Sequence, residues 1–172
     1  MSTLPHVTSI LRDAGLVDTT WFTDYMRDRG TALHRACELH DEGDLNPDSV
    51  DSAIEEPFGL YLKFLEENKP VILAVEGKVE YSKCYQGKLD RRVKIDNREG
   101  VIDLKGQPSP VDRLQLAGYC LTFDRPLVRW NLYLRVGKNY KLVENKERRK
   151  DDADWWAAVR IAAFRRRHGL TS

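Results

Sequence analysis

Residues 75–119 decide the fold of this chain, and they read VEGKVEYSKCYQGKLDRRVKIDNREGVIDLKGQPSPVDRLQLAGY. In this stretch Glu76, Asp90, Asp103 and Lys105 lie on segments whose alternating apolar and polar residues predict β-strands. Strand interiors favour β-branched and aromatic side chains and disfavour Asp, Glu and Lys, because the pleated surface is usually half buried. Several carboxylates on neighbouring strands therefore indicate a metal site, and a metal site indicates hydrolytic chemistry.

Strand pairing determines whether these charged residues meet. The predicted strands of the stretch cover residues 71–82, 85–95 and 100–105. A hairpin loop at residues 96–99 joins the second strand to the third. A loop of two or four residues places Asp90 opposite Asp103 or Lys105, on the same face of the sheet. An odd loop without a bulge would put Asp90 on the other face and weaken the site.

Helical patterns flank these strands. Helices are predicted at residues 8–16, from 19 or 20 to 40 with an interruption or bend at Gly30, at 49–68 with Pro57 starting or kinking its second part, at 111–123 and at 151–168. A second hairpin is predicted at residues 127–136 and 139–144. The predicted fold is α/β, with a central mixed β-sheet that begins as an antiparallel meander and is flanked by helices. One domain is expected over residues 1–172, with a helical part at about 1–70, a core at about 71–146 and a C-terminal helix at about 151–168.

Composition excludes several classes of protein. The 172-residue chain has a net charge of +1, with 41% hydrophobic and 32% charged residues. No run approaches the ~18 apolar residues that a membrane span needs, and the N-terminus lacks a secretion signal, so a cytoplasmic location is expected. Cys37, Cys84 and Cys120 form no CxxC pair, which argues against a disulfide framework, a structural zinc site and an iron–sulfur cluster.

Asp90, Asp103 and Lys105 have the chemistry of a metal-dependent hydrolase. Mg²⁺ and Mn²⁺ accept hard oxygen ligands, commonly one or two carboxylates completed by water and substrate phosphate. Lys105, two residues after Asp103, can orient water or stabilise charge on a phosphate. A surface hairpin with alternating charges is the alternative interpretation, because Asp-x-Lys tripeptides are common.

Short motifs in a fixed order support the first interpretation. They are Gly30-Thr-Ala-Leu-His34, Glu76, Gly87-Lys-Leu-Asp90, Ile102-Asp103-Leu-Lys105 and Gln115-x-x-x-Tyr119. This order resembles the PD-(D/E)XK nuclease superfamily, specifically its RecB-like exonuclease branch, and the segment at residues 7–11 resembles the opening of phage-type members. The resemblance covers the chain from about residue 7 to residue 119 and implies a restriction-endonuclease-like core.

The resemblance also implies roles for individual residues. Asp90 and Asp103 are implied as the main metal ligands, and Lys105 as the catalytic lysine. His34 is implied as a further metal ligand, which fits Mn²⁺ because imidazole suits transition metals better than Mg²⁺. A cation held by these residues would activate water for in-line attack on a phosphodiester.

Other implied roles are supporting ones. The acidic residue of the preceding strand is implied to be Glu76, with Glu80 on the same face as its rival. Gln115 and Tyr119, one helical turn apart, are implied to orient the site or contact the DNA backbone, and Gly30 belongs to the same supporting set.

Basic residues of the second strand have two open interpretations. These residues and their neighbours could line a phosphate track in which Tyr85 stacks on a base. The set has Lys88, Arg91 and Arg92 at its centre and also includes Lys83, Lys94 and Arg98. A solvated edge strand is the alternative, because lysine also protects sheet edges.

The resemblance implies a Mg²⁺- or Mn²⁺-dependent DNA nuclease, preferably an exonuclease, in phage-type DNA recombination, repair or processing. The alternatives are a catalytically silent binding module for nucleic acid or protein, and a structure-specific endonuclease. The scattered cysteines depart from relatives that carry an iron–sulfur cluster, and no GxxxxGK[ST] loop of a helicase motor occurs. The expected partners are single- or double-stranded DNA and a recombination protein or further copies of the chain, without a membrane; a phage-encoded protein would act in the host cytoplasm.

Overall fold

The computed structural model describes residues 4–17, 23–135 and 137–171. Within them the strands are β1 (Val71–Tyr81), β2 (Tyr85–Ile95), β3 (Arg98–Lys105), β4 (Val128–Leu134) and β5 (Tyr140–Glu144). The helices are α1 (Val7–Asp13), α2 (Asp24–Glu42), α3 (Ser52–Asn68), α4 (Asp112–Cys120) and α5 (Arg148–Arg167), with a short 3₁₀ helix at Pro47–Ser49. The strands form one sheet in the order β1-β2-β3-β4-β5.

The sheet is mixed, as predicted. β1, β2 and β3 form an antiparallel meander, β3 and β4 are parallel, and β5 returns antiparallel to β4. A parallel pair needs a crossover connection, and α4 lies in that connection. This arrangement confirms the α/β prediction and is the one expected of a restriction-endonuclease-like core.

The turn between β2 and β3 is shorter than predicted. Asp96 and Asn97 have left-handed backbones, with φ of 47° and 61°, and Ile95 pairs with Arg98. Two consecutive residues with positive φ match the right-handed twist of the flanking strands. The predicted four-residue loop is therefore a two-residue turn, and the strand begins two residues earlier, at Arg98.

Helices cover both faces of the sheet. One buried cluster, containing Leu89, Leu116 and Trp155, packs α1, α4 and α5 against the first face. The other, containing Phe58 and Trp130, packs α2 and α3 against the second face. Because β3 and β4 are covered on both sides, their side chains are buried almost without alternation.

Of the interruption or bend predicted at Gly30, the interruption does not occur. α2 runs continuously past Gly30 from its cap, where the Met26 N–H donates to Thr23 Oγ1 at 3.2 Å, to Gly43. One glycine costs a helix only about 1 kcal/mol relative to alanine, which the buried face of α2 offsets. The beginning of the predicted helix, with Trp21 and Phe22, lies outside the described residues.

Pro57 lies inside α3 without ending it. Proline lacks the N–H that would donate to the carbonyl four residues earlier, which belongs to Ala53. Arg29 Nε of α2 donates to this Ala53 oxygen at 2.7 Å. The missing helical hydrogen bond is thus replaced by one that ties α2 to α3.

The C-terminal helix α5 begins three residues before residue 151, where it was predicted to begin. In the described part of the chain no helix is long and apolar enough to cross a membrane.

Candidate active site

Asp90 and Asp103 lie where β2 and β3 separate. The pairing of these strands runs from Ile95 and Arg98 to Arg91 and Ile102, so Asp90 and Asp103 are the next residues in register. The Leu104 N–H donates to Asp90 Oδ2 at 2.7 Å. The carboxylate thus satisfies a buried backbone donor, and the even turn length that the site requires is present.

In the β1–β2 hairpin, residues on the two sides of Asp90 pack against different helix clusters. Val79 and Leu89 pack against the cluster of α1, α4 and α5, whereas Ile72 and Val93 pack against the cluster of α2 and α3. At the change, Glu76 has a left-handed backbone with φ of 49°. A non-glycine residue in this conformation costs about 1–3 kcal/mol, and such strain concentrates at functional sites.

His34, Glu76 and Asp90 form a group that could hold a metal ion. Each offers a ligand atom, and these atoms lie within 4.8 Å of one another. His34 Nδ1 of α2 lies 3.5 Å from Asp90 Oδ1 of β2. One imidazole and two carboxylates suit Mn²⁺, and the carboxylates also suit Mg²⁺, so the donor set fits the implied cation. Glu80 is exposed on β1 and is not a member of this group.

Asp103 lies beside this group and has polar partners of its own. Lys105 Nζ lies 3.0 Å from Asp103 Oδ2, and the Asn131 amide donates to the same oxygen at 3.2 Å. Gln115 Nε2 donates to Asp103 Oδ1 at 3.1 Å. The structure thus brings Asp103 and Lys105 together; that Asp103 is also a metal ligand stays a prediction.

Gln115 connects the lysine to the helix. Lys105 Nζ donates to Gln115 Oε1 at 2.9 Å, while Gln115 Nε2 also donates to the Tyr119 hydroxyl at 3.0 Å. Both Gln115 and Tyr119 belong to α4, and their separation of one turn directs them to the same place, as predicted. The amide orients Lys105 and Asp103 relative to each other.

The charges of the site shift one another's pKa values. Burial alone would lower the pKa of His34, but the charge of Asp90 and its hydrogen bond, together with the charge of Asp103, outweigh burial and raise the pKa. Burial opposes ionisation of Asp90, yet His34 and Lys105 hold its pKa below the usual range. For Asp103, burial raises the pKa and the Asp90 charge adds to this, against the lowering effect of Lys105. The two aspartates therefore differ, with Asp90 the more readily ionised.

Asp41, Tyr61 and Arg91 support the site from beneath, and the sequence interpretation missed this role of Asp41 and Tyr61. Arg91 is 1% exposed, its Nε binds Asp41 Oδ2, and the Tyr61 hydroxyl donates to the same oxygen at 2.7 Å. Arg91 Nη1 donates to the Asp90 carbonyl at 2.8 Å and lies 3.6 Å from Glu76 Oε1. Asp41 follows His34 by seven residues, which places both on one face of α2, and this spacing is the signal that could have revealed it.

The predicted phosphate track does not form as a row of exposed side chains. Arg91 and Tyr85 are buried, because β2 is an internal strand covered by helices and is not an edge. Lys88 is half exposed and bound to Glu76 Oε2 at 2.6 Å. Arg92 lies 3.5 Å from Glu99 and over the Phe123 ring. Lys88 and the buried Arg91 therefore both contact Glu76 of the candidate metal group, and Lys88 is the half-exposed one of the two.

A cleft of about 890 Å³ leads to the site, lined by α1, α2, α4 and the loop before α4. Its wall includes His34, Lys105 and Gln115. Gly30 lines it as well, and a Cβ atom added there would meet nothing within 4 Å. The glycine therefore widens the cleft one turn before His34, and close packing within the protein does not require it.

Comparison with known proteins gives structural matches only. No family model and no curated protein matches the sequence. The crystal structure of SSO0001 is 17% identical, with a TM-score of 0.46 over 95% of this chain and 75% of that chain. An alkaline exonuclease (LHK-Exo) from Laribacter hongkongensis is 11% identical, with a TM-score of 0.43 over 97% and 94% of the two chains. The structure of LHK-Exo in complex with dAMP is 10% identical, with a TM-score of 0.44 over 98% of this chain and 95% of that chain. At these values the matches assign neither a family nor a function.

Proposed function

We propose that this chain is a divalent-metal-dependent nuclease that hydrolyses phosphodiester bonds in DNA. Exonuclease activity is the form that we favour. The observation that carries the proposal is the convergence of His34, Glu76 and Asp90, whose ligand atoms lie within 4.8 Å of one another, beside the ion pair of Asp103 and Lys105. The three metal-group residues lie on α2, β1 and β2, and the ion pair lies on β3. Their order along the sequence also resembles that of the PD-(D/E)XK nucleases.

Each of these residues has its own role in the proposed hydrolysis. A divalent cation held by His34, Glu76 and Asp90 would supply Lewis acidity and neutralise charge on the phosphate. Lys105 lines the cleft, and its ammonium group stabilises negative charge that develops on the phosphate oxygens. Asp103 and Gln115 hold this ammonium group through contacts of 3.0 and 2.9 Å. Asp103 is proposed as a further ligand, which it can become by giving up one of its hydrogen bonds.

Buried carboxylates argue against a pure binding module. Asp90 and Asp103 are 8% and 1% exposed, and burying ionised groups is costly without a compensating cation. A protein that only grips DNA gains nothing from acidic groups that repel phosphate. The binding module therefore remains as the outcome expected if no cleavage is found.

The proposal is tested with end-labelled linear DNA and circular DNA, each single- and double-stranded, in Mg²⁺, Mn²⁺ or EDTA. We expect cutting of linear DNA that requires a metal. Lys105→Ala should lower the rate about 100-fold, as removal of one preorganised donor does elsewhere, whereas Lys78→Ala, on the exposed side of β1, should keep it. Cleavage of circular DNA would identify an endonuclease instead. Absence of metal-dependent cutting in a folded protein would refute the enzyme proposal.

A further inference from the structure

Two cations hold the Glu76 carboxylate from opposite sides. Arg91 Nη1 lies 3.6 Å from Oε1, and Lys88 Nζ lies 2.6 Å from Oε2. The Glu76 side chain is 16% exposed, so the carboxylate depends on these partners more than a surface glutamate would. The pKa of Lys88 is raised, chiefly by its hydrogen bond to Glu76.

The two cations differ in their freedom to leave. The Arg91 side chain is 1% exposed and is bound to Asp41, Tyr61 and the Asp90 carbonyl. The Lys88 side chain is 50% exposed, and its ion pair with Glu76 is the one that the described structure records for it. An ammonium group on a flexible four-carbon stem is hydrated readily. Lys88 can therefore move away from Glu76, whereas Arg91 stays in place and keeps the carboxylate oriented.

We propose that Lys88 competes with the divalent cation for Glu76, and that cation binding releases Lys88 to contact a phosphate of the nucleic acid. The inference rests on the proposed function, because it uses His34, Glu76 and Asp90 as the metal group. A cation and an ammonium group at the same carboxylate repel each other, so binding of the first weakens the second. The released ammonium group starts from the carboxylate that would hold the cation, so a phosphate bound to that cation would lie within its reach. Metal binding and substrate binding would thus be coupled through one side chain.

Metal affinity provides the first test. Mn²⁺ binding is measured by calorimetry on the full chain for wild type, Lys88→Met and Lys78→Met. Lys78 is the matched control, because it lies opposite Lys88 in the β1–β2 register and is exposed. Removing the competitor should tighten Mn²⁺ binding roughly fivefold in Lys88→Met, the upper end for a partly exposed ion pair. Lys78→Met removes a charge of the same sign but leaves the ion pair of Lys88 with Glu76 in place, so it should change the affinity less than twofold.

Release of Lys88 can be observed directly. The protein is treated briefly with an amine-acylating reagent, and the modification of Lys88 and Lys78 is quantified by mass spectrometry. An ammonium group held by a carboxylate reacts slowly, so Mn²⁺ should increase acylation of Lys88 several-fold and leave Lys78 unchanged. Glu76→Gln should give a high rate at Lys88 with or without Mn²⁺.

Phosphate contact is tested by the salt dependence of DNA binding. Lys105→Ala protein, loaded with Mn²⁺, binds DNA in this assay so that cleavage does not interfere. Each phosphate contact contributes about 0.7–0.9 to the slope of log affinity against log salt. Adding Lys88→Met should reduce the slope by about that amount, and adding Lys78→Met should not.

The outcomes separate the two proposals. If wild type binds no Mn²⁺, the metal-dependent function and the competition both fail. If wild type binds Mn²⁺ but Lys88→Met binds it equally well and Lys88 acylation is unaffected by Mn²⁺, the competition is refuted and the nuclease proposal stands. Unaltered thermal unfolding of Lys88→Met would establish that its changed affinity does not come from misfolding.

Discussion

At Asp103, a carboxylate lies 1% exposed between an ammonium group and two side-chain amides. β3 is covered by helices on both faces, so an acid at this position cannot reach bulk water. The Lys105 ammonium group offsets part of the cost of burying the Asp103 carboxylate, whereas the nearby Asp90 charge increases that cost. The burial of this carboxylate thus lowers the stability of the fold.

This placement predicts a pH dependence of stability in EDTA. Burial raises the pKa of Asp103 from 3.8 to about 7. Between these values the folded state retains a proton that the unfolded state has released, so ionisation of Asp103 lowers the unfolding free energy as pH rises. Between pH 5 and 8, Asp103→Asn should gain about 3 kcal/mol on wild type, because the loss in wild type extends over about two pH units, up to the folded pKa, and one unit corresponds to about 1.4 kcal/mol. Urea unfolding at both pH values measures this, and a constant difference would contradict it.

The two glutamates of β1 offer a matched comparison. Glu76 is strained, half-buried and part of the candidate metal group, whereas Glu80 is exposed. We expect Glu76→Gln to weaken Mn²⁺ binding at least tenfold, or about 1.4 kcal/mol, because a charged ligand becomes neutral. Glu80→Gln should bind Mn²⁺ as wild type does in the same calorimetric experiment. Equal affinities for the two variants would remove Glu76 from the site.

At the scale of elements, one face of α2 carries both a candidate metal ligand and a structural acid. His34 and Asp41 are two turns apart, so Asp41 meets Arg91 of β2 beneath the place where His34 meets Asp90. The helix is therefore fixed to the strand at two points. Rotation of α2 would disturb both contacts together, which keeps His34 aligned with the sheet.

Breaking the lower contact should destabilise the protein strongly. Asp41→Asn leaves the Arg91 guanidinium buried without its full counter-charge, and loss of one partner of a buried pair costs about 3–5 kcal/mol. Asp44→Asn, three residues later and exposed, should change the unfolding free energy by no more than about 0.5 kcal/mol. Urea denaturation of both variants decides the point. A small effect of Asp41→Asn would mean that Tyr61 and water suffice for Arg91.

For the whole molecule, the candidate metal group joins a helix on one face to two strands of the sheet. His34 lies on α2, Glu76 on β1 and Asp90 on β2, and unfolding separates them. A cation that binds this group binds the folded state. Metal binding should therefore be linked to global stability, independently of any catalytic step.

The linkage can be measured by denaturation in Mn²⁺ and in EDTA. At a Mn²⁺ concentration of about 100 times the dissociation constant, the unfolding free energy of wild type should rise by about 2.7 kcal/mol. His34→Ala should lose most of this increase at the same concentration. An equal increase in His34→Ala would place the bound cation at another site.

Much of the fold could be predicted from local sequence patterns. The strand periods, the position and even length of the turn after Ile95 and the helical spacing of Gln115 and Tyr119 depend on neighbours a few residues apart, and the structure agrees with them, although the turn has two residues where four were predicted. The element ends were less accurate, as at Arg98 and at the start of α5. The interruption that was one of the two outcomes expected at Gly30 does not occur, because the packing of α2 outweighs the intrinsic preference of one residue.

The amino-acid sequence by itself determined the α/β class, the meander and the candidate acids on adjacent strands, because periodicity and turn chemistry are encoded locally. Only the tertiary structure decided which charges are buried and which meet. Arg91 and Lys88 look alike in sequence, yet helix packing buries Arg91 against Asp41 and leaves Lys88 half exposed on Glu76. Burial depends on which helices pack on each face of the sheet, and this packing brings together residues that are far apart in the chain.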